Sequence, residues 1–413
     1  MKILLGAKSC GFGPVSKMIT IAKLLNENHS LSFLGIDTSL IYSESNRELF
    51  TNIYNINPKD CKNYHNIFKE NDKVISVMDE EIGFWAIKYN KPLYFFDSLF
   101  FFWIISNDLT SLIDKAYKIK QMELLPAYEL FHTLTVHERK VVIHILATKS
   151  FTQNYPGVQN RIELLKEYGL NNIILTGPII NINKEEIDES QSIENEYFDI
   201  LINLGGFKNF ILDFDKNNYY LKLIEKWIID FSYEFPQFKK ILIAGGAYDK
   251  EKKEINNNSV NIKYRFLKHN IFVESLKKSK YIFSPAGLTT LIESVSLNKL
   301  PFLLSEQHYG SYINYESLNG TLLYDISFSL KNIFSDIVIT NDDYKGSLEI
   351  INYTEKILKN KNLYKKFCDI TFIKINNFIN LNDNFIDKAL TEINSLFTGL
   401  DLSEAVKIIY NEE

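Results

Sequence analysis

The chain contains few cysteines, and their spacing excludes both a cysteine metal cluster and a disulfide-stabilised fold. Cys10, Cys61 and Cys368 are its three cysteines among 413 residues, and they lie far apart. They form neither a metal-ligand cluster nor a disulfide framework. We therefore expect a cytoplasmic protein in a reducing compartment, without a signal peptide before its first predicted strand.

Basic charge and long apolar runs are also lacking. The net charge is −5, so no general basic field exists to hold a nucleic-acid duplex. The most apolar run, 94–106, contains Asp97 and is shorter than the roughly 20 residues of a membrane-spanning helix. We expect this run to be buried or to line a pocket. The hydrophobic fraction is 46%, and the length suffices for two domains.

Strand and helix patterns alternate in two blocks, separated by the polar, acidic stretch 183–196. The first block predicts strands at 2–5, 31–34, 73–77, 93–96, 141–146 and 172–175, with helices at 15–25, 46–54, 80–89 and 108–116. The second predicts strands at 197–203, 240–243, 281–283 and 301–304, with helices at 219–231 and 272–277. The alternation indicates two doubly wound parallel α/β sheets. We expect domains at 1–182 and 197–349, followed by a polar helical segment at 350–413.

The segment 281–318 predicts a strand, a glycine turn and a helix that opens near Thr289 and Thr290. Gly287 at the mouth of this helix leaves backbone N–H groups open to an anion, which the helix dipole favours. Glu293 follows about one turn later and could accept hydrogen bonds from a ribose diol. The alternative is a plain strand–turn–helix unit with a solvent-facing Glu293.

A polar loop that includes Glu306 and Gln307 follows the predicted strand 301–304. Ligands of open α/β sheets bind at the carboxyl ends of strands. Together with the glycine turn, this loop would hold a nucleotide diphosphate and the sugar attached to it.

This segment resembles the donor-binding signature of the GT-B glycosyltransferases, which include the UDP-glycosyltransferases and the peptidoglycan N-acetylglucosaminyltransferase. The resemblance rests on Gly287, Thr289, Glu293, Pro301 and Gln307 in this order and spacing. It implies two Rossmann-like domains facing across a cleft, with C-terminal helices that often cross back to the first domain. It also implies an enzyme that binds its donor on the second domain, through Gly205, Gly206, Arg265, Gly287, Leu288, Thr289, Thr290, Glu293, Glu306 and Gln307. Arg265 and His269 lie in the region that frames the base, although a lone histidine is more often structural.

The first domain would then bind the acceptor. A glycine-rich loop between its first strand and first helix contains Gly11, Phe12, Gly13, Ser16 and Lys17, and its alternative is a tight packing turn. Many GT-B enzymes have a histidine in this loop, and this chain has none.

Gln153 and Asn154 follow the strand predicted at 141–146. They are candidates for acceptor contact, or alternatively part of a turn built on Pro156 and Gly157.

Asp97 and Ser98 end a predicted strand within the aromatic run, where acceptor chemistry is expected. Desolvation by the aromatic side chains would raise the pKa of Asp97 and make it a better general base. The alternative is a helix cap for a helix starting at Leu99. The run 79–81 also contains acids after a strand, and a capped helix start explains it better.

No metal or cofactor is expected besides the nucleotide-sugar co-substrate, because the Asp-x-Asp sequence at 213–215 lies in a polar stretch and not at a predicted strand end. Short segments around Gly13, Asp97, Asn154, Gly205 and Gly287 also resemble cytosylglucuronate synthases. That resemblance implies a UDP-glucuronic acid donor, a cytosine acceptor, and Lys17 as a possible partner of the donor carboxylate.

Two other functions stay open. One is a nucleotide-sugar hydrolase or epimerase of the same fold, and the other is a non-catalytic nucleotide-sugar-binding protein. The sequence fixes neither the stereochemistry of transfer nor the oligomeric state.

Overall fold

The computed structural model describes residues 1–180, 196–205, 218–245, 253–257 and 259–411. The chain forms two compact units. The first comprises Met1–Asn181 and Leu396–Glu413, and the second comprises Ile182–Ser395. None of the described helices combines the length and the apolar character needed to cross a bilayer.

The first unit is a parallel sheet flanked by helices. Its seven strands are β1 Lys2–Ala7, β2 Ser30–Gly35, β3 Asn52–Asn55, β4 Lys73–Val77, β5 Leu93–Asp97, β6 Lys149–Gln153 and β7 Ile173–Thr176. Their order in the sheet is β3-β2-β1-β4-β5-β6-β7. The helices are α1 Gly13–Leu25, α2 Asp37–Glu44, α3 His65–Lys69, α4 Glu80–Lys88, α5 Leu109–Gln121, α6 Leu124–His132, α7 Val136–Leu146 and α8 Val158–Glu167.

The second unit has a sheet of six strands in the order β10-β11-β9-β8-β12-β13. Its strands are β8 Ile200–Asn203, β9 Lys240–Ala244, β10 Lys253–Asn257, β11 Val260–Arg265, β12 Tyr281–Ser284 and β13 Pro301–Leu303. All described pairings in it are parallel except the edge hairpin β10–β11. Its helices are α9 Asn218–Glu234, α10 His269–Lys278, α11 Leu288–Ser296, α12 Tyr309–Glu316, α13 Leu322–Ile326, α14 Asp343–Lys359, α15 Lys361–Ile379 and α16 Asp383–Ser395.

Each sheet has one point at which the strand order reverses. In the first unit the chain leaves β1 toward β2 and β3, then returns to add β4 on the other side of β1. In the second unit the same reversal places β9 and β12 on opposite sides of β8. Ligands of doubly wound sheets bind beyond the carboxyl ends of the strands at such points. The predicted fold class is therefore confirmed, and topology marks one candidate ligand position in each unit.

Two predicted elements of the first unit are wrong. Residues 141–146 lie in helix α7, which opens with a capping box between Thr135 and Glu138. A buried apolar run of this length cannot be assigned to strand or helix by periodicity alone. The predicted helix 46–54 is a 3-10 turn at Arg47–Leu49 followed by the edge strand β3.

The last helix, α17 Leu402–Asn411, belongs to the first unit. Leu400 forms a parallel bridge with Thr176, and the N–H of Gly177 donates to the Leu400 carbonyl at 2.8 Å. The buried side chains Ala405, Val406 and Ile409 complete the core cluster beneath α1. The chain therefore returns to its first unit after completing the second.

Candidate functional site

The reversal point of the second unit lies between β8 and β12, and Asn203 at the end of β8 connects its two sides. The Asn203 Nδ2 donates to Thr290 Oγ1 of α11 at 2.6 Å. Its Oδ1 accepts a hydrogen bond from the Gly205 N–H at 3.0 Å. One amide thus fixes the turn after β8 against the first turn of α11. Sequence analysis missed this role, although an asparagine at a strand end before two glycines was a usable signal.

Helix α11 begins after Gly287, which has extended backbone angles (φ −82°, ψ 117°) and provides no side-chain cap. The preceding carbonyl of Ala286 accepts a 2.7 Å hydrogen bond from Asn314 Nδ2 of α12. The glycine turn is therefore held from outside, and Gly287 itself contributes no side-chain cap to α11. Leu288 and Thr289 are the first two residues of this helix. Such a helix start suits an anion.

Glu293 lies in the second turn of α11 and is buried, with 2% of its surface exposed. Its Oε1 accepts a 2.6 Å hydrogen bond from Nε2 of His269, at the start of α10. Because a carboxylate only accepts, the imidazole must carry its proton on Nε2. Glu293 is therefore held in place, and the solvent-facing alternative is excluded.

Gln307 joins the third strand tip to this site, since its Nε2 donates to the Leu204 carbonyl at 3.0 Å. Glu306 does not. Its two oxygens accept hydrogen bonds from Ser329 Oγ at 2.5 Å and the Leu330 N–H at 2.8 Å. Burial raises the pKa of Glu306, although those bonds oppose the rise. In this structure its carboxylate is bound to its own chain.

Arg265, another predicted donor residue, is not part of the contacts described so far. Arg265 ends β11, where its Nη1 donates to the Tyr264 carbonyl at 2.8 Å and the Lys253 carbonyl at 3.2 Å. Gly206 lies outside the described residues. The structure thus brings Gly205, Gly287, Thr290, Glu293 and Gln307 to one edge of the sheet.

Buried hydroxyls occur at the same edge. Ser284 ends β12, and Ser305 follows β13 by two residues. The Oγ atoms of both are buried and have no hydrogen-bond partner within the described ranges. A buried polar atom without a partner costs about 1–3 kcal/mol. These two hydroxyls are therefore further candidates for contact with a ligand.

In the first unit, the loop after β1 is half-buried. Gly11 adopts a positive φ of 58°, which favours glycine. Ser16 Oγ donates to the Gly13 carbonyl at 3.1 Å, and Lys17 is only 2% exposed. Phe12 immediately precedes α1 and its ring lies 6.1 Å from that of Tyr42.

Asp97 ends β5 with 1% of its surface exposed. Its Oδ1 accepts from the Leu99 N–H at 2.7 Å, and its Oδ2 is 3.0 Å from His144 Nε2. His144 in turn lies 2.6 Å from Ser150 Oγ through Nδ1. With His144 neutral, Ser150 donates to His144, and His144 donates to Asp97.

The prediction that desolvation raises the pKa of Asp97 is wrong. Burial favours the raised value, but the His144 hydrogen bond, the Lys140 charge and the Leu99 N–H together hold the pKa below its ordinary value. No helix starts at Leu99, so the helix-cap alternative is also wrong, and Asp97 instead binds the turn that follows β5.

The remaining first-unit candidates contact their own chain. Ser98 Oγ donates to Met78 Sδ at 3.4 Å. Gln153 Oε1 accepts from the Ile179 N–H at 3.1 Å. Asn154 Nδ2 donates to the Thr398 carbonyl at 2.6 Å and so fastens the returning C-terminal segment. Gln153 ends β6, which replaces the strand predicted upstream.

Asp79 confirms the predicted helix start, because its Oδ1 accepts from the N–H groups of Glu81 and Ile82, both at 3.0 Å. Within the part of the chain that the structure describes, no group of three or more His, Cys, Asp or Glu could hold a metal. Residues 213–215 lie outside the described part.

Comparison with known proteins shows the fold. No family model matches the chain, and no curated protein matches it. The solved structure of the glycotransferase of kitacinnamycin superimposes with a TM-score of 0.51 at 10% identity, covering 99% of this chain and 98% of that one. The glycosyltransferase SnogD from Streptomyces nogalater gives a TM-score of 0.48 at 11% identity, over 100% and 99% of the two chains. The architecture is that of the two-domain GT-B fold.

Proposed function

We propose that this protein is a glycosyltransferase that moves a sugar from a nucleotide-sugar to a small acceptor. The observation that carries the proposal is the assembly at the second reversal point. Asn203 joins Gly205 to Thr290 there, and Gln307 binds the carbonyl of Leu204. Residues from three separate strand tips thus meet at one edge. The kitacinnamycin protein, which has the same fold, is itself a glycotransferase.

The chemistry follows from the start of α11. The donor diphosphate would lie over the N–H groups that follow Gly287 at the start of α11, where the helix dipole stabilises negative charge. Thr290 Oγ1 already accepts from Asn203, so the threonine proton remains to be donated to a phosphate oxygen. These groups would stabilise the leaving diphosphate without a divalent metal. Glu293 would accept hydrogen bonds from the ribose.

The donor and acceptor are proposed from the sequence resemblance. We propose a UDP-sugar, with UDP-glucuronic acid as the first candidate, and a small acceptor, with cytosine as the first candidate. Lys17 is buried within the first unit, so we do not assign the donor carboxylate to it.

Asp97 is proposed as the group that takes the acceptor proton. It lies at a strand tip of the first unit and is kept ionised by His144, so it can accept a proton. Its lowered pKa makes it a weaker base than burial alone would give. Each of its oxygens accepts one hydrogen bond and has a second lone pair with which it could accept the proton.

A ligand screen followed by a transfer assay tests the proposal. UDP-, GDP- and dTDP-sugars are added to the purified protein and thermal unfolding is followed. A ligand at 100 times its dissociation constant adds about 2.7 kcal/mol of stability. We expect UDP-sugars to stabilise most, and UDP-glucuronic acid with cytosine to give UDP and a glycosylated base by mass spectrometry.

Other outcomes separate the alternatives. Release of UDP at the same rate with and without any acceptor would indicate a hydrolase. Conversion of the donor sugar without UDP release would indicate an epimerase. Tight donor binding with no turnover would indicate a binding protein, and the absence of stabilisation by any nucleotide-sugar would refute the proposal.

A further inference from the structure

The reversal point of the first unit holds a group of charged side chains that the proposed donor site does not use. We name it the charged cluster, and its members are Lys8, Glu80, Glu81, His132 and Arg139. Lys8 directly follows β1, while Glu80 and Glu81 open α4 just beyond β4. His132 ends α6, and Arg139 lies on α7. Four elements therefore converge beyond the tips of β1 and β4, where the sheet topology favours a ligand.

The internal contacts of the charged cluster fix its side chains. Glu80 Oε1 is 2.6 Å from Lys8 Nζ and 3.6 Å from Arg139 Nη2. Arg139 Nη1 donates to Glu81 Oε1 at 3.1 Å and to His132 Nδ1 at 2.9 Å. Because arginine is only a donor, His132 carries its proton on Nε2 and donates it to Glu81 Oε2, 3.2 Å away. Burial and the Arg139 charge lower the pKa of His132 to about 4, so the ring is neutral near pH 7.

Within the described part of the chain, two polar atoms of the charged cluster have no hydrogen-bond partner. Glu80 is completely buried, yet its Oε2 has no hydrogen-bond partner in the described part of the chain. The same holds for Nε of Arg139, whose residue is 9% exposed. A buried carboxylate oxygen is costly to leave unpaired. The unpaired atom of Glu80 is an acceptor and that of Arg139 is a donor. The two side chains approach each other to 3.6 Å, between Glu80 Oε1 and Arg139 Nη2.

The charge balance limits what could satisfy both atoms. Lys8 and Arg139 oppose Glu80 and Glu81, and the neighbouring Lys140 and Asp79 add one charge of each sign, so the formal charges of these six groups cancel. A neutral ligand with a donor beside an acceptor fits. The charged cluster also reaches the surface, since the side chains of Lys8 and His132 are 18% and 26% exposed.

We propose that the charged cluster binds a small neutral molecule through an edge that carries an N–H donor next to a hydrogen-bond acceptor, as in a carboxamide or an aminopyrimidine. The ligand N–H donates to Glu80 Oε2, and the neighbouring ligand atom accepts from Arg139 Nε. The inference rests on the proposed function in one respect only, namely that this molecule is the acceptor of the sugar. In support, the tips of β4 and β5 are neighbours: the Met78 N–H donates to the Phe96 carbonyl at 2.8 Å, and Ser98 binds Met78. A ligand on Glu80 would thus lie one strand from Asp97.

The test is a calorimetric titration of the full chain without nucleotide-sugar, using two matched probes. Cytosine presents an amino donor beside a ring acceptor, and N4,N4-dimethylcytosine has the same ring without that donor. We expect saturable binding of cytosine and about tenfold or greater weakening for the dimethyl probe, the loss expected for one hydrogen bond to a charged group. Equal binding of both probes, or no saturable binding of cytosine, would overturn the proposal and leave the orphan atoms to internal water.

Variants give a second, independent measurement. Glu80→Gln should weaken cytosine binding by about tenfold or more. The matched control Glu404→Gln removes an exposed carboxylate of the same unit and should leave binding unchanged. Unchanged binding in Glu80→Gln overturns the proposal, and if that variant fails to fold by circular dichroism, the probe pair on the natural protein decides.

A parallel titration with UDP-glucuronic acid distinguishes this inference from the proposed function. Glu80→Gln should bind the nucleotide-sugar as the natural protein does. If the natural protein binds cytosine but no nucleotide-sugar, glycosyl transfer is refuted and the proposal for the charged cluster is retained.

Discussion

His269 and Glu293 form a 2.6 Å hydrogen bond that joins the start of α10 to the second turn of α11. The two residues are 24 positions apart. The bond restrains a buried carboxylate beside the helix start that we assign to the donor diphosphate. Pre-positioning of this kind lowers the cost of ordering a side chain when a ligand binds.

Glu293→Gln should weaken nucleotide-sugar binding by roughly 10–100-fold, because one or two hydrogen bonds to a charged acceptor are lost. The measurement is calorimetric titration with the best-binding UDP-sugar. Glu355→Gln, which changes a partly exposed carboxylate in the same unit, is the matched control. A dissociation constant unchanged by Glu293→Gln would remove Glu293 from the ribose site.

Asp97→Asn should lower kcat by about 10²–10⁴-fold, the usual contribution of general-base assistance. The asparagine oxygen can still accept from Leu99, so donor binding should stay the same. Asp108→Asn is the matched control, because Asp108 also accepts a backbone N–H, from Ser111 at 2.9 Å, but caps α5 instead of ending a strand. Near-normal turnover in Asp97→Asn would make Asp97 a structural residue of the β5 turn.

Activity should not require a divalent metal. Turnover is measured after extensive treatment with a chelator, then with added magnesium or manganese. We expect the chelated enzyme to keep its rate, because the start of α11 and Thr290 would carry the leaving-group charge. Complete loss of turnover that a metal restores would show that these groups are insufficient.

Glu138 should make stability depend on pH in the acid range. It accepts hydrogen bonds from the N–H groups of Ser106, Asn107 and Thr135, at 3.0, 2.8 and 2.9 Å. Burial opposes ionisation, but these bonds prevail and lower the pKa of Glu138 to about 2. The folded pKa is depressed, so its stabilisation is present above the unfolded value and is lost as pH falls toward 2.

Glu138→Gln should therefore reduce the free energy of unfolding at pH 7 by about 1.5–3 kcal/mol, measured by urea denaturation. The difference from the natural protein should shrink as the pH is lowered from about 4.5 toward 2. A difference that stays constant over this range would contradict the assignment.

Gly399→Ala should destabilise the first unit, because the added methyl group would lie 2.3 Å from the Thr176 carbonyl carbon and 2.5 Å from the Gly177 nitrogen. Both are backbone atoms and cannot turn aside. We expect a loss of about 1–3 kcal/mol, the usual cost of overpacking, in urea denaturation. Gly177→Ala, where the nearest atom is 3.4 Å away, is the matched control. Equal stability of the two variants would show that the backbone at Thr176 and Gly177 relaxes to accommodate the added methyl group.

The sequence predicted what depends on local pattern. The alternation of strands and helices held in both units, and the glycine turn at Gly287 opens α11 as expected. The strand predicted at 141–146 was wrong because an apolar run that is buried on every side shows no hydrophobic periodicity. The internal hydrogen bonds of Glu306 and the lowered pKa of Asp97 were not predicted, because their partners Ser329 and His144 lie 23 and 47 positions away in the sequence. Their protonation and availability depend on contacts that only the fold creates.

The return of residues 396–411 to the first unit has a consequence for how the chain folds during synthesis. Domains usually fold in the order in which they leave the ribosome. Here the first unit lacks α17 until residues 402–411 emerge, so the apolar surface that Ala405, Val406 and Ile409 cover stays open to water. The second unit, complete by Ser395, can close earlier. The half of the chain that is made first should thus be the last to reach its final stability.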